Sequence, residues 1–258
     1  MDSIKFLGTA GARFVMLKQL RASGGIWLEL AGARLLIDPG PGTLVRCAKS
    51  RPRLDPAKLD AIVLTHKHLD HSSDVNVMIE AMTEGGSKRR GQVFAPSDAL
   101  FEDPVILRYV RKYAERITIL KQGGEYQVGE VIFNTPVRHL HSVETYGLNI
   151  KGNGRSVCFI TDTRYFSGLE DFYEGDILVI NLVRYQLKPE EKIEHLDVSA
   201  AKKLISGIKP RQVILTHFGM TMLQAKPWQV AAELQQELGV KVIAANDGMN
   251  FEIDQVYL

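Results

Sequence analysis

Several features that would assign this chain to a specialised class are missing from its 258 residues. It has only two cysteines, Cys47 and Cys158, which excludes a fold held together by several disulfide bonds. Both lie among apolar neighbours, as free thiols in a reducing compartment do. No run approaches the roughly 18 apolar residues that a membrane-spanning helix needs, and no basic-then-apolar signal follows Met1. We therefore expect a cytoplasmic protein without a membrane partner.

A strong charge of either sign is also absent. Lys and Arg total 32 against 30 Asp and Glu, which gives a formal net charge of +2 at pH 7. A chain this close to neutral lacks the broad basic surface that non-specific nucleic-acid binding uses, so a nucleic-acid partner is possible but not favoured. Low-complexity segments and linkers are missing too. We therefore predict one domain over residues 1–258, and oligomer formation stays open.

What the chain does contain is an alternation of short β-type runs and amphipathic helical stretches. The predicted strands are 4–7, 26–30, 34–37, 61–64, 117–120, 131–136, 146–150, 156–160, 177–180, 212–215, 241–244 and 251–253. The predicted helices are 74–84, 104–115, 198–206 and 228–238. Two strands end in the same tripeptide, Leu-Thr-His, at His66 and His217. This repetition favours two similar sheets packed face to face with helices outside.

Residues that can carry chemistry are concentrated at the ends of these strands. The densest group of histidines is the segment Thr-His-Lys-His-Leu-Asp-His at 65–71. Side chains at i and i+2 of an extended segment point the same way, so His66 and His68 can bind one cation. Asp70 and His71 can face a second cation where the chain turns into the next helix. Imidazole and carboxylate ligands suit Zn²⁺, Mn²⁺ or Fe²⁺. The alternative is a run of solvated loop histidines, which would predict no further ligand residues later in the chain.

The T-H-x-H-x-D-H signature resembles that of the metallo-β-lactamase superfamily, and the resemblance runs the length of the chain. The family's other motifs are matched by Asp38 at a strand end, His141 in HSVETYG, Asp162 in FITDT and His217 in LTHFG. The resemblance implies an α/β fold, namely a four-layer αββα sandwich of two mixed sheets with helices on both outer faces.

The resemblance also implies how the ligands divide between two divalent metal ions. One ion would be held by His66, His68 and His141, and the other by Asp70, His71 and His217. Asp162 would bridge the two ions together with a water or hydroxide. Zn²⁺ is the favoured metal, with Mn²⁺ and Fe²⁺ as alternatives. Two adjacent cations lower the pKa of a shared water and clamp a leaving oxygen. Asp70 is assigned both to the metal ligands and to the catalytic residues.

Several neighbouring residues keep two interpretations. His139 competes with His141 for the third motif, and the following Ser-x-x-x-Tyr-Gly context favours His141. Asp38 either accepts a hydrogen bond from a metal-bound imidazole or only initiates a turn. His195 resembles a histidine of the ribonuclease Z-like branch, which implies a catalytic role in which it assists the leaving group or binds phosphate. The alternative is that His195 only precedes a helix capped by Asp197. Three more side chains either contact a phosphate or lie in solvent: Arg164, Arg184 and Tyr185.

Within the superfamily, the residues favour the ribonuclease Z-like phosphodiesterase branch. His68 stands where the diiron electron-transfer branch has a Glu, and Asp162 where secreted β-lactamases have a Cys. Residues 218–258 are too few for the helical domain of glyoxalase II-type thioesterases, and no long tRNA-gripping arm is visible. We expect a metal-dependent phosphodiesterase that uses a metal-bridging hydroxide on a small or short phosphodiester. The alternatives are a ribonuclease acting on RNA or tRNA 3′ ends, and an acyl hydrolase such as a lactonase or thioesterase.

Overall fold

The structure, a computed structural model, describes residues 2–188 and 190–253. The strands are β1 (Ser3–Phe6), β2 (Ile26–Leu30), β3 (Ala33–Ile37), β4 (Ala61–Val63), β5 (Gln92–Ala95), β6 (Arg116–Ile119), β7 (Gly124–Val128), β8 (Val131–Thr135), β9 (Leu148–Gly152), β10 (Arg155–Ile160), β11 (Ile177–Asn181), β12 (Gln212–Thr216), β13 (Lys241–Ala244) and β14 (Asn250–Glu252). The α-helices are α1 (Ala12–Leu17), α2 (Thr43–Lys49), α3 (Leu69–Ser72), α4 (Val75–Met82), α5 (Val198–Ile208), α6 (Met220–Gln224) and α7 (Pro227–Leu238).

The strands form two seven-stranded mixed sheets. The first has the order β14-β1-β2-β3-β4-β5-β6 and the second the order β13-β12-β11-β10-β9-β8-β7. In the first sheet β3, β4, β5 and β6 run parallel, and in the second β10, β11, β12 and β13 do so. The remaining pairs are antiparallel. The predicted pair of mixed sheets is therefore confirmed.

Three apolar clusters hold these sheets and the helices together. The central cluster lies between the sheets and includes Phe6, Leu28, Phe133 and Phe159. A second joins the outer face of the second sheet to α5 and α7, and a third joins the outer face of the first sheet to α4. Each fully buried Leu, Ile or Phe side chain contributes about 1.5–3 kcal/mol to the stability of the folded state, relative to the same side chain left exposed. Helices on both outer faces complete the predicted four-layer αββα sandwich.

Burial on both faces explains the continuous apolar runs in the sequence. Every residue of β11 and of β12 is buried, because the central cluster covers one face of these strands and α5 or α7 the other. Parallel strands covered on both faces have this composition. The polar residues that follow such strands lie at the carboxyl edge of the sheet, where the candidate site is found.

The helix predicted over 104–115 is wrong, because this stretch is a series of turns. The side chain of Asn76 donates to Val105 O (2.8 Å) and accepts from Leu107 N (2.9 Å). The guanidinium of Arg111 donates to Ile106 O (2.7 Å). Side chains thus take backbone groups that a helix would pair, while Ile106 stays buried beside α4 as the apolar spacing requires.

Six further elements have no counterpart among the predicted ones: α1, α2, α3, α6, β5 and β7. The four helices have six, seven, four and five residues, which is too short to show a helical period in the sequence. Within residues 2–188 and 190–253, no helix is long and apolar enough to cross a membrane.

Candidate metal centre

The histidine-rich segment follows β4 directly and is anchored on both sides. Thr65 N donates to Asp38 Oδ1 (2.7 Å), and Tyr146 N donates to Thr65 O (3.2 Å), so the segment is tied to both halves of the sandwich. The short helix α3 then begins after His68, and Ser72 Oγ donates back to Lys67 O (2.9 Å). This tight turn returns Asp70 and His71 towards the two histidines that precede them.

Close backbone contacts and positive φ angles fix the loops around the site. A Cβ on Gly40 would lie 2.0 Å from Asp70 O, and one on Gly11 would lie 2.0 Å from His217 O, so both positions require glycine. Asp38 and His217 adopt φ values of +51° and +59°. Such left-handed backbone costs about 1–3 kcal/mol per non-glycine residue and is concentrated at functional sites.

The first group of possible ligands is His66, His68 and His141, whose closest ring nitrogens lie within 4.8 Å of one another. His141 Nε2 lies 3.0 Å from His68 Nδ1. The other nitrogen of His141, Nδ1, donates to Glu194 O (3.1 Å), which leaves a lone pair on Nε2. His66 Nε2 is buried and has no hydrogen-bond partner. Three ring nitrogens therefore converge on one point.

The second group is Asp70, His71 and His217. Asp70 Oδ2 lies 3.8 Å from His71 Nε2 and 3.6 Å from His217 Nε2, and these two nitrogens are 3.2 Å apart. His71 Nδ1 donates to Asp38 Oδ2 (2.9 Å), so Asp38 fixes the ring of His71. Of the two interpretations kept for Asp38, the structure supports hydrogen bonding to an imidazole.

Asp162 lies between the two groups. Its Oδ1 is 3.4 Å from His217 Nε2, and its Oδ2 is 3.6 Å from His71 Nε2 and 4.0 Å from His66 Nε2. Asn181, at the end of the neighbouring parallel strand β11, donates Nδ2 to Asp162 Oδ1 (2.8 Å). The carboxylate is thus oriented so that Oδ1 faces the second group, while Oδ2 lies between His71 of the second group and His66 of the first.

Burial and the central carboxylates set the protonation of the site. Burial lowers the pKa of His66, His68 and His141, which keeps their rings neutral and able to act as ligands. Burial alone would raise the pKa of Asp162, but the histidines around it, His217 first, outweigh that effect and hold its pKa well below its usual range.

The donor arrangement fits divalent metal ions. His71 and His141 each donate through Nδ1 to a fixed oxygen, so in both rings Nε2 is the nitrogen left to face a cation. Each of these Nε2 atoms lies 3.2 Å or less from another imidazole nitrogen. Together with the unpartnered Nε2 of His66, such nitrogens are satisfied by a cation between them. All seven sequence-predicted ligands lie in this cluster: His66, His68, Asp70, His71, His141, Asp162 and His217.

The two remaining histidines occupy different positions. His139 is buried outside the cluster, where Nδ1 donates to Asp162 O (3.2 Å) and Nε2 accepts from the Tyr173 hydroxyl (2.5 Å). Burial lowers the pKa of His139 to about 4. His195 lies beside the cluster, with Nδ1 3.5 Å from Asp162 Oδ2 and without a hydrogen-bond partner. Its side chain is 20% exposed, so it can reach a bound molecule.

The three loop residues with open roles differ in their surroundings. Arg184 pairs with Glu191 at 3.4 Å, while Arg164 and Tyr185 are exposed, as the solvent interpretation expects. Asp197 caps α5 by accepting from Ala200 N (2.9 Å).

Sequence reasoning missed two residues behind the site. Asn181 orients the central carboxylate, and Tyr173 holds His139. Asn181 could have been found, since it is a polar residue ending a strand that is otherwise apolar. Tyr173 leaves no such signal, because it reaches His139 from a distant loop.

Comparisons with known proteins agree with this geometry. The family model described as "Beta-lactamase superfamily domain" matches residues 33–218. An uncharacterized protein of Methanocaldococcus jannaschii, MJ1374, is 30% identical over 97% of this chain and 94% of its own length. Ribonuclease Z of Borrelia duttonii is 24% identical over 98% of this chain and 97% of its own length.

A solved structure shares the fold. The probable metallo-hydrolase YhfI of Bacillus subtilis is 23% identical over 76% of this chain and 80% of its own length. Its crystal structure, described as a metallo-β-lactamase fold protein, matches with a TM-score of 0.79 over 97% of this chain and 98% of YhfI. At 20% identity in that superposition, the likeness concerns the fold alone.

Proposed function

The chain belongs to the metallo-β-lactamase superfamily, and from this premise we propose that it is a phosphodiesterase with a centre of two metal ions. The broader class, a metal-dependent hydrolase, is confirmed by the family and its relatives. The observation that carries the proposal is the position of Asp162, whose Oδ1 lies 3.4 Å from His217 Nε2 and whose Oδ2 lies between His71 Nε2 (3.6 Å) and His66 Nε2 (4.0 Å). A carboxylate placed in this way can serve two cations at once.

We assign the ligands as the two histidine groups suggest. His66 Nε2, His68 Nδ1 and His141 Nε2 would hold one ion, and Asp70, His71 and His217 the other, with Asp162 shared. Zn²⁺ is the metal we expect first, because neutral imidazoles and carboxylates suit it and no thiolate is required. Two metal ions at these positions would activate a water and stabilise the charge of a leaving oxygen.

The protein's own residues have distinct tasks in this proposal. Asp38 and Glu194 O hold the rings of His71 and His141 in the tautomers that present Nε2. Asn181 keeps the Asp162 carboxylate in its orientation. His195, partly exposed beside Asp162, is the group we expect to give a proton to the departing oxygen or to donate to a non-bridging oxygen of the substrate.

A phosphodiester is the favoured substrate because a relative that matches nearly the whole chain is a ribonuclease. The net charge of +2 favours a small or short phosphodiester over a long structured RNA. A ribonuclease is the second candidate, and the Ribonuclease Z relative is the observation that supports it. The single domain over 1–258 and the cytoplasmic location stay predictions, as does oligomer formation.

Hydrolysis of bis(p-nitrophenyl) phosphate by metal-loaded protein tests the proposal, with a p-nitrophenyl ester and a lactone measured in parallel. We expect metal-dependent release of p-nitrophenol from the phosphodiester, abolished in the His141→Ala variant and retained in the Lys58→Ala variant, whose substitution is on the exposed surface away from the cluster. Protein that binds two metal ions but cleaves only the ester or the lactone would overturn the phosphodiesterase assignment in favour of an acyl hydrolase.

The salt dependence of RNA binding distinguishes a ribonuclease from a phosphodiesterase that acts on small substrates. Affinity for RNA that falls steeply between low and physiological salt indicates many phosphate contacts and supports it. Binding that is absent or insensitive to salt excludes it.

A further inference from the structure

A second charged cavity lies outside the metal cluster, between β1 and the end of α2. It has a volume of about 280 Å³. Four of its lining residues are basic, namely Lys5, Arg46, Lys49 and Arg51, and none is acidic. The whole chain is nearly neutral, so this concentration of positive charge is local and does not follow from the composition.

The positive charges in this cavity are not neutralised by neighbouring carboxylates. Among the residues that the structure describes, none of the four basic side chains has an ion pair with an acidic group, whereas Arg34, Lys67 and Arg90 elsewhere on the surface each have one. A cluster of unpaired cations raises the local concentration of anions.

Backbone carbonyls hold the two guanidinium groups in place. Arg46 Nε donates to Leu7 O (2.7 Å), and Arg51 donates through Nη1 to Ser50 O (3.1 Å). These contacts fix the geometry of the guanidinium groups without consuming their charge. The cations are therefore positioned before any ligand arrives, which reduces the entropy lost on binding.

One polar group at this cavity is buried without a partner among the described residues. Ser50 Oγ is buried and has no hydrogen-bond partner. Lys5, which is 8% exposed as a residue, lines the same cavity without an ion pair to an acidic group. An anion in the cavity would accept a hydrogen bond from the Ser50 hydroxyl and pair with the neighbouring cations.

We propose that this cavity, formed by Lys5, Arg46, Lys49, Ser50 and Arg51, is a second phosphate-binding site, separate from the metal centre. Guanidinium and ammonium groups are the side chains that bind phosphate oxygens best. The cavity accommodates a phosphate group that is either free or part of a nucleotide chain. The site does not depend on the proposed hydrolase activity.

Calorimetric titration of metal-loaded protein with inorganic phosphate tests this site. Lys49 is exposed, so the Lys49→Glu variant retains the fold, and we expect it to weaken phosphate binding at the cavity at least tenfold. Lys58→Glu makes the same charge change on an exposed residue outside the cavity and should change the affinity less than twofold. The His141→Ala variant should keep cavity binding, because it alters only the metal centre.

A parallel titration with a short single-stranded oligouridylate distinguishes the source of the phosphate. Loss of affinity in Lys49→Glu for inorganic phosphate supports a site for a free phosphate, and loss for the oligonucleotide alone supports a site for a chain phosphate. If both probes bind Lys49→Glu as tightly as the unmodified protein, the proposal is refuted. If phosphate binding disappears in His141→Ala and is unchanged in Lys49→Glu, the only phosphate site is the metal centre, and the proposal is equally overturned.

Discussion

Replacing Asp38 by Asn should weaken metal binding without unfolding the protein. The Asp38 carboxylate accepts three hydrogen bonds, from Thr65 N and Thr65 Oγ1 at 2.7 Å and from His71 Nδ1 at 2.9 Å. An asparagine can keep the bond from Thr65 N, but its amide then turns an NH₂ group towards His71. His71 would have to move its proton to Nε2, which is the nitrogen that faces His217 and Asp162.

The size of this effect follows from the hydrogen bond by which Asp38 supports the metal ligand His71. Loss of such a supporting hydrogen bond costs about 10–100-fold in metal affinity, which is about 1.4–2.7 kcal/mol. The loss should concern the ion held by Asp70, His71 and His217. Asn tolerates the backbone φ of +51° at position 38, so strain does not contribute.

Competition with a chromophoric chelator measures the two metal affinities. Asp60→Asn is a matched control, because Asp60 accepts a hydrogen bond from Arg34 N (2.8 Å) and precedes β4, at the end opposite the histidines. We expect one weakened site in Asp38→Asn and two normal sites in Asp60→Asn. Two affinities within twofold of the unmodified protein in a folded Asp38→Asn variant would refute the reasoning.

Three further predictions test other parts of the structure. His195→Ala should keep both metal ions and lose most of the turnover number, since His195 is not in either ligand group; an unchanged turnover number in a phosphodiester assay would remove it from the reaction. Phe159→Ala should lower the free energy of unfolding by about 3–5 kcal/mol in urea titrations, because this ring is buried between the sheets; a change below about 1 kcal/mol would contradict that packing. Burial raises the pKa of both Cys47 and Cys158 to about 12, so a disulfide reagent at pH 8 should label neither thiol in the folded protein and both after unfolding; rapid labelling of folded protein would show that a thiol is accessible.

The sequence was most informative where burial repeats a regular pattern. The buried strand before His66 and the one before His217 were both predictable, because each is a continuous apolar run with a polar residue at its end. Within each sheet, parallel strands place such residues at the carboxyl edge. The packing of the two sheets then brings the two edges together, where His71 and His217 meet. The choice of His141 over His139 also agrees with the geometry, since only His141 reaches His68.

Other features depend on contacts between distant parts of the chain. The turns over 104–115 form because Asn76 and Arg111 pair with backbone groups there, and nothing in the local sequence reveals those bonds. The short helices α1, α2 and α6 hold too few residues to show a period. The basic cavity joins Lys5 to Lys49 across the fold, and its lack of carboxylates is visible only in three dimensions.

The proposed metal centre is one cluster that holds two metal ions, with Asp162 between them. X-ray diffraction from crystals of zinc-loaded protein, collected on both sides of the zinc absorption edge, tests it most directly. We expect two anomalous peaks, one against His66, His68 and His141 and the other against Asp70, His71 and His217, with Asp162 contacting both. A single peak, or zinc bound only elsewhere on the protein, would contradict it.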